Sequence, residues 1–207
     1  MTNREKEVLR VLASDVRTFS DRQVATTWWS DCPTGLHRCR VALNRLQRKG
    51  WLVLGKVLAR SVKLSAKPVY RWSPGDPSPD FVSHARTLHE RVLKQPELVT
   101  ICMATEKTNN LLGVGRRSTV RLAQLTHELL VSQVYLRYRS LGFENANWIG
   151  EDRLPAEWRL RVRPDALLVD INGNFVRAVE YGGDYSVERL EELHLAISSI
   201  LLSYELW

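Results

Sequence analysis

The chain has no run of about 18 uncharged apolar residues, and no apolar segment follows its basic start, so neither a membrane span nor a secretory leader is expected. Cysteine is scarce as well. Cys32, Cys39 and Cys102 are an odd set that cannot all pair within one chain, and such usage suits a reducing, cytoplasmic setting. Cys32, His37 and Cys39 lie close enough to raise a metal site. No fourth ligand stands at zinc spacing, however, and Cys39 falls on an apolar helix stripe, so packing is the favoured reading. The absence that says most is of acid. No Asp or Glu occurs between Cys32 and Gly75, whereas ten Lys and Arg fall from Arg38 to Arg71. Residues 1–75 therefore balance at +10 and residues 76–207 at −3, within a net charge of +7. The 44% hydrophobic and 26% charged content is that of an ordinary folded protein, which excludes a chain disordered throughout. The cationic stretch should form a surface that seeks phosphate.

Within this first third the apolar spacing predicts three helices. Val8, Leu9, Val11 and Leu12 mark the first, with Thr2 or Asn3 as cap; Val24, Trp28 and Trp29 mark a second, capped by Ser20 or Asp21. The third spans about Gly35 to Lys49, where Leu36, Cys39, Leu43 and Leu46 recur at helical spacing and Gly50 stops it. The rest of its surface is polar or basic: Arg38, Arg40, Asn44, Arg45, Arg48 and Lys49, side chains of the kind that read guanine and adenine edges or hold phosphates. Residues 51–72 then read as two strands around a basic tip with Arg60, Lys63 and Lys67. Three helices and a basic hairpin, in that order, give an N-terminal winged helix-turn-helix that binds double-stranded DNA. The plain alternative is a three-helix bundle with a solvated basic face, although a face shaped for solubility alone normally mixes signs.

Ser73 to Asp80 holds three prolines and a glycine in eight residues, which breaks any regular element and sets a boundary. The expected division is a DNA-binding domain over 1–75, a linker and helical connection over 76–117, and a second domain over 118–207. A helix with Val82, Ala85, Leu88 and Val92 inward ends before Pro96, and a long amphipathic helix from Ser118 buries Leu122, Leu125, Leu129 and Tyr135 or Leu136. Then "RPDALLVDINGNFVRAVEYGG" reads as a hairpin about Asn172-Gly173. A two-residue type I′ turn there makes cross-strand partners sum to 345, so Asp165 stands opposite Glu180. Their face also carries Leu167, Val169, Ile171, Val176 and Ala178, an apolar side ending in two acids. Paired carboxylates in a desolvated corner need a proton, a cation or an arginine. Mg²⁺ held by Asp165 and Glu180 is one answer, with Glu128 as a further ligand; an ion network bridged by Arg163 is the other. A last helix over "VERLEELHLAISSILL", capped by Ser186, completes an α/β sandwich.

Pro164-Asp165 and Glu180 in this order resemble the PD-(D/E)XK nuclease superfamily. With "HELLVSQVYLRYR" from His127, "RPDA" from Arg163 and "YSVERLEELH" after the acid, most of the chain resembles the plasmid replication-relaxation family. The resemblance implies an α+β protein: a winged helix-turn-helix followed by an α/β restriction-endonuclease-like domain, acting on DNA as a regulator of plasmid replication, transfer or transcription. A homodimer on a two-fold site suits that role, and DNA binding needs no cofactor. The alternative is a Mg²⁺-dependent endonuclease using Asp165 and Glu180, with Glu128 and Arg163 in support. Two departures weigh against it: Gly182 stands where the superfamily has its lysine, and little chain remains after the last helix for a final strand.

Overall fold

The first turn of the chain is closed by Thr2 and Glu5, each accepting the other's backbone N–H on its side chain, and this capping box opens α1 (Asn3–Ser14). The computed structural model describes residues 1–60, 64–92, 95–115, 120–143, 148–155, 158 and 162–207. Its elements make an α+β fold that divides into two units, Met1–Ser61 with Pro96–Ser140 and Val62–Gln95 with Leu141–Trp207. The units interleave in sequence, unlike the expected consecutive blocks 1–75, 76–117 and 118–207.

In the first unit a second capping box, Ser20 with Gln23, starts α2 (Asp21–Val24), which continues as a π-helical turn to Trp29. Cys32 caps α3 (Pro33–Arg48), whose stripe of Cys39, Ala42, Leu43 and Leu46 is buried. Strand β1 (Phe19–Ser20) pairs antiparallel with β4 (Pro96–Ala104), and β4 with β2 (Leu52–Arg60), in the order β1-β4-β2. The expected hairpin over 51–72 does not form. All nine residues of β2 take their partners from β4, a strand not anticipated from the sequence, while Tyr70–Trp72 pairs instead with Tyr204–Leu206 and places Trp72 in the core of the second unit. A short helix α5 (Glu106–Leu111) follows. Then α6 (Leu125–Ser140) buries Leu125, Leu129, Val134 and Tyr135, Leu125 and Leu129 packing with Ala59 and Ile101. Leu122, expected inside, is exposed in the single 3₁₀ turn that precedes α6.

The second unit is built on a five-stranded sheet in the order β3-β8-β7-β6-β5. Strands β5 (Trp148–Gly150), β6 (Ala166–Val169) and β7 (Phe175–Glu180) form an antiparallel meander. Helix α7 (Val187–Ser198) then crosses to β8 (Tyr204–Leu206), parallel to β7, with β3 (Tyr70–Trp72) at the edge. The chain therefore does supply a last strand, in only three residues. Leu88 of α4 (Phe81–Val92) joins Leu190, Leu193 and Ile197 of α7 and Leu167, Tyr204 and Leu206 of the sheet in one core. Val82, expected inward, is exposed.

The β6–β7 register sums to 345 at Ala166, Leu167 and Leu168, as expected, but by another route. Asp170 accepts the amides of Asn172 and Asn174, making a longer loop, and a bulge between Leu168 and Val169 restores the register. The tip consequently leaves the core. Ile171 is 97% exposed and Val176 is exposed too, which corrects the expectation that both lie on the buried face.

Candidate nucleic-acid interface

Helix α3 has no acidic residue in its sixteen positions, and its outer surface presents His37, Arg38, Asn44, Arg48 and Lys49 exposed. Val41 sits among them at 52% exposure, an apolar side chain in the middle of a polar face. Asn44 donates one amide N–H to the Arg40 carbonyl at 2.9 Å, which leaves its oxygen and its second N–H outside that bond.

Two of the expected contact residues are tethered from below. Arg40 Nε donates to Asp21 Oδ2 at 2.6 Å, and Arg45 donates to Oε1 of Glu5, whose carboxylate is buried. Both guanidiniums remain about half exposed, so each spans from a buried acid to the surface of α3. The local sequence of α3 is acid-free, yet α1 and α2 deliver carboxylates to it. Arg60 lies exposed at the end of β2, opposite Pro96. Lys67 is exposed in the second unit, and Lys63 lies outside the described residues. The basic tip expected from these three does not exist as one hairpin.

The acids of the second unit do meet. Asp165 donates its amide to Glu180 Oε2 at 3.1 Å, and Tyr181 donates its amide to Asp165 Oδ2 at 2.8 Å. Glu180 is 2% exposed, and its Oε1 accepts the Tyr185 hydroxyl at 2.6 Å. Burial first, and then the charges of Glu180 and Asp165, push the Tyr185 phenol far above its ordinary range, so it stays a donor. Arg163 does not bridge the acids; it is exposed and donates to the Glu151 carbonyl at 3.0 Å. Glu128 belongs to the first unit, where Arg17 takes its carboxylate at 2.5 Å. Among the described residues, no group of three or more His, Cys, Asp or Glu is placed to hold a metal. Gly182, at the expected lysine position, is packed against α4: a Cβ there would lie 2.7 and 2.9 Å from the Leu88 methyls.

Besides Glu5 beneath α3, sequence reasoning missed a buried acid in the second unit. Glu205 on β8 is fully buried, and its Oε1 accepts Arg71 at 2.6 Å and Arg177 at 2.8 Å, while Oε2 takes the Trp207 indole N–H at 3.1 Å. Its signal was a lone acid inside the closing apolar run "YELW". No family model, no curated protein and no solved structure matches the chain.

Proposed function

We propose that the protein binds double-stranded DNA through its first unit, with α3 in the major groove. The observation that carries this reading is the outward face of α3, where Arg38, Asn44, Arg48 and Lys49 stand together without an acid among them. Arg and Asn supply the paired donors and acceptors that guanine and adenine edges require, and Lys49 suits a phosphate. The order of elements supports a winged helix-turn-helix. Strand β1 lies between the first two helices, β2 follows the third, and β4 pairs with both, so that the β2–β4 pair would serve as the wing.

For the second unit we propose a nuclease-like shape without the chemistry. Its meander, crossover helix and parallel strand support the shape, and the Leu88 methyls against Gly182 leave no room for a lysine unless the core shifts. Such a protein would act as a regulator of replication, transfer or transcription on a plasmid or similar element, as a homodimer on a two-fold site.

The test is selection of bound sequences from a random duplex pool, followed by anisotropy titrations at several salt concentrations. Arg48→Ala is expected to cost about 1–3 kcal/mol of discrimination at one base position. Lys49→Ala should weaken all duplexes alike and lower the salt slope by about one. A protein that binds no duplex at low ionic strength, or one indifferent to both changes, overturns the reading.

A further inference from the structure

We propose that the cleft between the first turn of α1 and the flank of α3 is a phosphoryl-binding site. The cleft has a volume of about 700 Å³, and Thr2, Arg4, Trp29, His37, Arg38 and Arg45 are among its lining. Glu5 is the single acid lining it, and its two oxygens are taken by Arg45 and the Thr2 amide. The remaining charge is positive and uncompensated. Among the described residues, Arg4 and Arg38 have no carboxylate within salt-bridge distance.

The Arg4 guanidinium lies 5.1 Å from the centre of the Trp29 ring, a cation–π contact that steadies the side chain without consuming a hydrogen-bond donor. Two planar forks, an imidazole and a hydroxyl converging on one cleft match the oxygens of a phosphoryl group, which bidentate arginines recognise by shape as well as charge. The volume exceeds one phosphate, and the half-buried Trp29 adds an apolar wall that suits an attached sugar and base. Two sources share this chemistry: a phosphodiester of the duplex gripped by α3, which rests on the function proposed above, or a free nucleotide, which does not.

The experiment titrates ¹⁵N-labelled protein with inorganic phosphate, a 5′-mononucleotide and a 20-base-pair duplex, using sodium chloride at matched ionic strength as control. Wild type is compared with Arg4→Gln and Arg38→Gln, both changes at exposed positions. Phosphate or mononucleotide is expected to move the Trp29 indole N–H signal, with affinity about tenfold weaker in either variant, the loss of one charge-assisted contact. In the duplex arm, Arg4→Gln should lower the slope of log affinity against log salt by about 0.9. Mononucleotide binding that leaves the duplex slope unchanged assigns the cleft to a free ligand; a fallen slope without mononucleotide binding assigns it to the duplex backbone. If no probe moves the Trp29 indole and both variants bind duplex as wild type does, the inference is overturned, even where Arg48→Ala shows that α3 grips DNA. Absence of duplex binding sinks the proposed function alone and leaves the small probes to decide the cleft.

Discussion

Glu5 stands three residues before Val8 and seven before Leu12, so the stripe that makes α1 amphipathic also carries a carboxylate inward. Burial by itself would raise its pKa; the Arg45 hydrogen bond, the Thr2 amide and the Arg45 charge outweigh that and hold the carboxyl below its usual range. A carboxyl depressed in the folded state contributes stability above its unfolded pKa and loses it as pH falls through the folded value. Arg45→Ala removes the main counterweight from a buried acid while exposing little apolar surface. The expected cost is about 1–3 kcal/mol at neutral pH, and the difference from wild type should shrink as pH falls and Glu5 is protonated in both proteins. Urea melts between pH 3 and pH 7 check this, and superimposable curves for the two proteins would refute the tether. Gly182 poses the opposite problem, too little space. Gly182→Ala pushes a methyl into Leu88 and should cost about 1–3 kcal/mol, less in a Leu88→Val background, so a double-mutant cycle should show favourable coupling. Additive effects would mean that Leu88 does not fill the lysine position. The acid-free run around α3 was legible residue by residue, but the acids that reach it from α1 and α2 were not, because their partners lie 40 and 19 positions away.

At the scale of elements, α3 was read almost to its ends, since its stripe repeats at helical spacing and Gly50 closes it at φ +71°. Strand β4 was not read at all. Its apolar residues lie between a helix and polar sequence, and nothing local says that they pair with β2 across the intervening segment. Both elements bury a thiol. Cys39 on α3 is pushed up to about 12 by burial and the Asp21 charge, and burial raises Cys102 on β4 still further. Cys32 is exposed, and the Ser30 hydroxyl and Gly35 amide lower its thiol. Iodoacetamide at pH 8 is therefore expected to modify Cys32 in the native protein and the other two only after denaturation, as peptide mass spectrometry would report. Comparable rates at all three would show that neither the α3 stripe nor β4 is closed.

For the whole molecule, interleaving of the two units makes one forecast that a consecutive division does not. A fragment of residues 1–75, bounded where proline and glycine cluster, contains α1 to α3 and β2 but lacks β4, the central strand of the β1-β4-β2 sheet. Phe19 and Leu52 would lose their cross-strand partners Cys102 and Ala104, and Ala59 the covering Leu125 and Leu129. The fragment should lack dispersed amide signals and a cooperative melt; a folded fragment would show that three helices suffice without the strand.

What the sequence determined by itself is what short-range physics controls: a cap at Ser186, caps narrowed to Thr2 or Asn3 and to Ser20 or Asp21, the buried stripe of α3, and the charge imbalance. What only the tertiary structure decided depends on contacts between distant positions: the β4 partner of β2, the carboxylates beneath Arg40 and Arg45, the Glu205 network and the filling of the lysine position by Leu88. Burial selects those contacts. Apolar surface is removed from water by whichever distant segment fits it best, and periodicity along a chain names the face to be covered without naming its cover.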